Sequence, residues 1–202
     1  ENSGAALVLS SPDKAPALAE VAARHGAQLQ TLGTDGDGTL ADLAEGQPAH
    51  FATTPRSDED LAAILYTSGT TGRSKGAMLT QANLLSNART LAAAWEFTAN
   101  DVLLHALPIF HTHGLFVATN TTLVAGGAMI LLPRFDPDAL IRHMPQATTL
   151  MGVPTFYTRL LDDPRFDAAL TAHMRLFVSG SAPLLAETHR QFEGRTDHRI
   201  LE

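Results

Sequence analysis

Leu61-Ala62-Ala63-Ile64-Leu65-Tyr66 runs directly into Thr67-Ser68-Gly69-Thr70-Thr71-Gly72-Arg73-Ser74-Lys75-Gly76. The first stretch is apolar and β-leaning; the ten residues after it hold three glycines, five hydroxyls and two cations. Glycine lets successive backbone N–H groups converge on one anion, and serine and threonine add donors. A Walker A loop does not fit. Five residues on from Gly69 stands Ser74, where that motif needs glycine, and Lys75 is followed by Gly76 rather than by serine or threonine. A polar surface loop would share the composition, but not the position straight after an apolar strand. The stretch therefore reads as a phosphate loop of another kind, with Arg73 and Lys75 supplying charge.

Outward from this loop, strands and helices alternate. On the amino-terminal side, Leu7–Leu9 reads as a strand. A helix follows Pro12-Asp13 with Leu18, Val21 and Ala22 on one face, and Gln28–Leu32 is the next strand. Thr34–Gly38 is turn material, and the weakly patterned stretch beyond it places a linker at about 45–58. On the carboxyl side, Leu84, Leu85, Ala88, Leu91, Ala92 and Trp95 recur at helical spacing as a core-facing stripe. Val102–Leu107, Ala128–Leu132, Thr148–Met151 and Met174–Val178 read as strands. Gly114–Val124, the stretch from Asp136-Pro137, Pro154–Leu161 and Leu184–Phe192 read as helices. The expectation is an α/β fold of mostly parallel sheets flanked by helices. Residues 1–57 would form a partial subdomain plus linker and 58–202 a second subdomain. Ligands in such sheets gather at the carboxyl ends of strands, which singles out the loops after Tyr66, Leu107 and Val178.

Composition narrows the function classes. The chain has 202 residues, 45% of them hydrophobic and 17% charged, with a mean hydropathy of +0.01, as expected of a folded globular chain. A net charge of −7 without any basic run argues against a nucleic-acid groove or an anionic membrane surface as partner. The absence of cysteine excludes disulfides and thiolate metal sites and is compatible with a cytoplasmic setting. The longest apolar stretch, Gly114–Leu132, is broken by Thr119-Asn120-Thr121-Thr122, so no membrane span is expected. Both ends read as cut, and the chain as a fragment.

The run Tyr66–Leu84, YTSGTTGRSKGAMLTQANL, resembles the signature of the adenylate-forming superfamily: acyl-CoA synthetases, luciferases and peptide-synthetase adenylation domains. The resemblance implies the fold of part of the amino-terminal domain of such an enzyme. It also implies a loop that holds the β- and γ-phosphates of ATP with Mg²⁺ through Thr67, Ser68, Gly69, Thr70, Thr71, Gly72 and Lys75, Thr71 touching the metal indirectly. The implied chemistry is adenylation of a carboxylate and transfer of the acyl group to a thiol, usually that of coenzyme A.

Two further segments follow strands. Leu107-Pro108-Ile109-Phe110-His111-Thr112-His113-Gly114 resembles the family segment lining the acyl pocket, which makes His111 and His113 candidate substrate contacts. A metal reading of His-x-His lacks a third ligand, and a hydrogen-bonded structural histidine is the plain alternative. Ser179-Gly180-Ser181-Ala182 opens Val178–Leu184 and resembles the segment contacting the nucleotide, although its composition alone is ordinary turn chemistry. Together with Leu150–Phe166, these segments resemble malonyl-CoA synthetases more than fatty-acyl enzymes. A dicarboxylate keeps one carboxylate after the other is adenylated, and burying it unpaired is costly. A bidentate cation answers that need, and Arg190 is the candidate, with His113 assisting and Met151 on another pocket wall.

The resemblance spans the chain and less than half of such an enzyme. The Mg²⁺-contacting glutamate, the ribose-binding aspartate and a carboxyl-terminal domain with its lysine are among the parts it does not reach. This piece alone is therefore expected to be inactive. The expected partners are a small carboxylate, ATP and coenzyme A, not nucleic acid or membrane. An adenylation domain serving a carrier protein and a non-catalytic nucleotide-binding module are the alternatives.

Overall fold

A computed structural model describes residues 2–67 and 74–202. The chain forms two compact units, Glu1–Leu79 and Thr80–Glu202. In the first unit, β1 (Leu7–Ser10) pairs in parallel with β2 (Gln28–Thr31), Leu7 opposite Gln28, and α1 (Ala15–Arg24) makes the crossover. Pro16 lies in the first turn of α1, where its missing N–H costs nothing. Of the face expected to be buried, only Ala22 is, and Val21 is half exposed, because two short strands present too little surface to cover it. A short helix, α2 (Thr39–Ala44), forms ahead of the expected linker. It is tied back to β2 by Thr31 N–H donating to Thr39 Oγ1 at 2.9 Å and Thr39 N–H donating to Thr31 Oγ1 at 3.0 Å. β3 (Leu61–Thr67) pairs with β4 (Lys75–Thr80), a strand the sequence does not announce and whose first two residues belong to the expected phosphate loop. Tyr66 Oη donates to Asn2 Oδ1 at 2.7 Å, binding β3 to the first residues of the chain. The boundary expected at 57/58 thus falls inside this unit.

The second unit opens with α3 (Gln81–Ala94), started by a reciprocal cap: Asn83 N–H donates to Thr80 Oγ1, and Thr80 N–H to Asn83 Oδ1. Five parallel strands follow: β5 (Val102–His105), β6 (Ala128–Leu131), β7 (Thr149–Gly152), β8 (Leu176–Ser179) and β9 (Ile200–Leu201). Their order is β6-β5-β7-β8-β9, so the direction of winding reverses between β5 and β7. A π-helical segment (His113–Thr119) running into α4 (Asn120–Val124) connects β5 to β6 and packs with α3. The return connections carry α5 (Pro137–His143), α6 (Pro154–Leu161), α7 (Ala168–Thr171) and α8 (Ala186–Thr196), of which α6 and α7 pack on α8. Right-handed crossovers put these two helix sets on opposite faces of the sheet. All four residues of β7 and of β8 are buried, as central parallel strands require. Phe192 of α8 packs its ring on Tyr157, Phe166 and Phe177, and burying each such ring contributes about 1.5–3 kcal/mol. No helix among the described residues is long and apolar enough to cross a membrane.

At the amino ends of β5, β7 and β8, one buried carboxylate gathers every donor near it. Asp101 accepts from Arg175 Nε at 2.9 Å, Thr148 Oγ1 at 3.0 Å and the Thr98 N–H at 2.8 Å. Burial works to raise its pKa, but these donors outweigh it and hold the carboxyl below its ordinary 3.8.

Candidate functional site

The carboxyl ends of the same strands are built differently. After β5 the chain turns through Pro108 and enters the π-helical segment at His113. Gly114 makes that entry possible, since any Cβ there would run into the Pro108 carbonyl. The segment turns the His113 ring toward the end of β8, where Nδ1 lies 3.1 Å from Ser181 Oγ. Ser181 is held at φ 71°, a left-handed conformation costly for a residue with a side chain. Gly180, whose N–H donates to the Gly152 carbonyl at 3.1 Å, lies flat under the ring: a Cβ there would stand 3.1 Å from His113 Cε1. Ser179 Oγ is buried without a hydrogen-bond partner among the described residues.

Two open cavities meet at these residues. One, of about 410 Å³, is lined by Leu107, Pro108, His111, Thr112, His113, Gly114, Val153 and Ser181. It lies between the ends of β5 and β7, where the strand order reverses and α/β sheets place their ligands. The other, of about 380 Å³, is bounded by Leu91 of α3, by Trp95 just after that helix, and by Val178–Ser181 and Glu202. His113 and Ser181 line both. Burial pushes the His113 pKa below 6.5, and nearby His105 pushes it the same way, so the ring is neutral at pH 7. If Ser181 donates to Nδ1, the proton sits on Nε2 and is available to a ligand.

His105, the last residue of β5, stands directly behind this arrangement and is 1% exposed. Its Nε2 lies 3.0 Å from the Gly114 carbonyl and 3.2 Å from Thr119 Oγ1. Its pKa is lowered by burial, against the opposing pull of the Gly114 carbonyl.

The expected site residues divide into three groups. Ser179, Gly180, Ser181 and His113 come together as described, with Ala182 next in the turn and His111 on the cavity rim, its ring tilted against that of Phe110 with centroids 4.7 Å apart. Thr67 closes β3 and Lys75 opens β4, both exposed, whereas Ser68, Gly69, Thr70, Thr71 and Gly72 lie outside the described residues. The remaining two sit elsewhere. Met151 is 1% exposed inside the core and lines neither cavity, because β7 is covered on both faces. Arg190 is 69% exposed on α8 and paired with Glu187 at 2.5 Å, the neighbour that helical i,i+3 spacing supplies. Among the described residues no group of three or more histidine, aspartate or glutamate side chains could hold a metal ion. The sequence does not single out His105 or Glu202 and does not announce the left-handed conformation of Ser181; a histidine inside the apolar run Val102–Leu107 is the visible signal for the first.

The model of the AMP-binding enzyme family matches residues 1–202. The malonate–CoA ligase of Arabidopsis thaliana is 34% identical over 223 residues, an alignment covering 100% of this chain and 37% of that protein. The crystal structure of apo MatB from Rhodopseudomonas palustris superposes with a TM-score of 0.94 at 58% identity, over 98% of this chain and 39% of that one. A malonyl-CoA ligase ternary product complex with methylmalonyl-CoA and AMP superposes at 0.78 with 34% identity, over 98% and 41%. The chain thus spans about two fifths of the length of the relatives it matches.

Proposed function

This chain belongs to the AMP-binding enzyme family, and we propose that the full-length protein carrying it is an ATP-dependent acid–thiol ligase acting on malonate or methylmalonate. In the proposed reaction a carboxylate oxygen attacks the α-phosphorus of ATP, the bond to pyrophosphate breaks, and an acyl-adenylate forms. The sulfur of coenzyme A then bonds to the acyl carbon, and AMP departs.

The observation that carries this reading is the His113–Ser181 pair at the reversal of strand order, facing a small cavity that also holds Thr112 and His111. A neutral imidazole N–H and hydroxyls suit a carboxylate, because each adds a hydrogen bond without a competing charge. The orphaned Ser179 hydroxyl beside them fits a polar ligand at the end of β8. The 67–76 segment is proposed for the phosphates, with Lys75 supplying charge that offsets the growing negative charge on pyrophosphate. Mg²⁺ on those phosphates is part of the same proposal, with Thr71 as its indirect contact. The second carboxylate of the substrate takes a donor from His113 Nε2, in the tautomer that Ser181 fixes by donating to Nδ1, and Arg190 would have to leave Glu187 to serve as its counterion.

A substrate panel on the full-length protein tests this. AMP formation with coenzyme A should have a higher kcat/KM for malonate and methylmalonate than for acetate or octanoate. Preference for octanoate would overturn the dicarboxylate reading, and an unchanged malonate KM in Arg190→Ala would remove that residue from it.

A further inference from the structure

His105 has no part in the proposed chemistry, yet it is one of the most deeply buried polar side chains, on the strand that feeds the site. Its hydrogen-bonding pattern is unusual. The Gly114 carbonyl can only accept, so the proton must be on His105 Nε2, shared between Gly114 O at 3.0 Å and Thr119 Oγ1 at 3.2 Å. Thr119 Oγ1 itself donates to the same carbonyl at 2.9 Å. One carbonyl in the first turn of the π-helical segment thus collects two side-chain donors, one from within the segment and one from the sheet. π-Helical turns are rare and are found frequently at functional sites. Here the turn opens at His113, immediately before Gly114, and the His113 ring faces Ser181. The remaining ring nitrogen of His105, Nδ1, is buried with no partner among the described residues. An aliphatic side chain would spare the fold that orphaned atom, so packing alone does not account for a histidine here.

We infer that His105 is a positioning residue for the carboxylate site: by donating from Nε2 to the Gly114 carbonyl it holds the π-helical entry that sets the His113 ring against Ser181. Carboxylate affinity then depends on a residue that never touches the carboxylate. The inference rests on the reading of His113 and Ser181 as a carboxylate site.

The test uses full-length protein and two substitutions. His105→Leu keeps volume and removes the donor; His105→Gln returns an N–H at nearly the reach of Nε2. The leucine variant should fold with a melting temperature equal to or above the wild type and show roughly a tenfold higher KM for the carboxylate, the size expected for losing one orienting hydrogen bond. Its KM for ATP should stay within twofold, and glutamine should restore the carboxylate KM to within about threefold of wild type. A folded leucine variant with unchanged carboxylate KM overturns the inference, as does an equal rise in both KM values. If leucine does not fold, glutamine is compared with asparagine, whose shorter amide falls short of Gly114; equal carboxylate KM in those two also overturns it. Wild-type protein assayed beside them with malonate, methylmalonate and acetate separates the two ideas. Should the wild type prefer acetate, the dicarboxylate reading fails while the His105 comparison is still read on acetate.

Discussion

The two ends of the five-stranded sheet solve opposite problems. At the amino end, Asp101 is 3% exposed and fully engaged, with Arg175, Thr148 and the Thr98 N–H all donating to it, and Arg175 also donating to the Trp95 carbonyl at 2.9 Å. At the carboxyl end, Ser179 Oγ and His105 Nδ1 are buried without partners among the described residues, Ser181 is left-handed, and the chain enters a π-turn. The strands are the same strands, a few residues apart. One end spends its polar groups on itself and gains stability. The other leaves them unspent and tolerates strain, as a surface must if it is to bind something else.

The largest effect should come from breaking the saturated end. Asp101→Ala leaves Arg175 and the Thr98 N–H without their acceptor, and should cost about 3 kcal/mol in urea unfolding, at the low end for a buried pair because Arg175 is partly exposed. Activity of the molecules still folded at low temperature should be unchanged; a selective loss of activity without loss of stability would erase the distinction between the ends. Gly114→Ala forces a methyl group against the Pro108 carbonyl, and should cost about 2 kcal/mol together with most of the carboxylate affinity. Ser181→Gly should go the other way in stability, gaining about 1 kcal/mol by releasing the left-handed strain while kcat/KM for the carboxylate drops about tenfold. If that variant is less stable, the strain argument fails.

The smallest effect separates the ends by pH. His105 and His113 have folded pKa values below the ordinary 6.5, so the unfolded chain takes up protons first. Their contribution is complete above 6.5 and is lost as pH falls below it. Asp101 is likewise lowered from 3.8, so its contribution is intact through that window and is lost only as pH drops below 3.8. Unfolding curves from pH 7 to 5 should therefore flatten in His105→Gln and not in Asp101→Ala.

Much of this was legible in the sequence, for identifiable reasons. The strands around Leu103, Leu150 and Phe177 are continuous apolar runs, and Pro154–Leu161 was bounded correctly because Pro154 fixes the first turn. β5 is shorter than expected, at Val102–His105, because apolar residues continue past the ladder into the loop that lines the cavities, whereas β8, at Leu176–Ser179, starts two residues later and ends one residue later than expected. α2 and α7, six and four residues long, were missed, since so short a stretch shows too little periodicity. At the site, Ser179–Ser181 and His113 could be singled out from their place after apolar strands. That Ser181 is left-handed could not, since glycine is the residue that advertises that conformation. Arg190 was chosen for its charge, and one helical turn away Glu187 holds it. Met151 reads as a pocket wall from its neighbours, and it lies in the core because β7 is covered on both faces.

The claim everything else leans on is that His113 and Ser181 act as one carboxylate-binding unit at the open end of the sheet. A double-mutant cycle in the full-length protein measures it: His113→Ala, Ser181→Gly and the double variant, each assayed for kcat/KM with malonate. The account predicts that the double variant loses little more than His113→Ala alone, a coupling of about 1 kcal/mol. Losses that simply multiply would show two independent residues and contradict it.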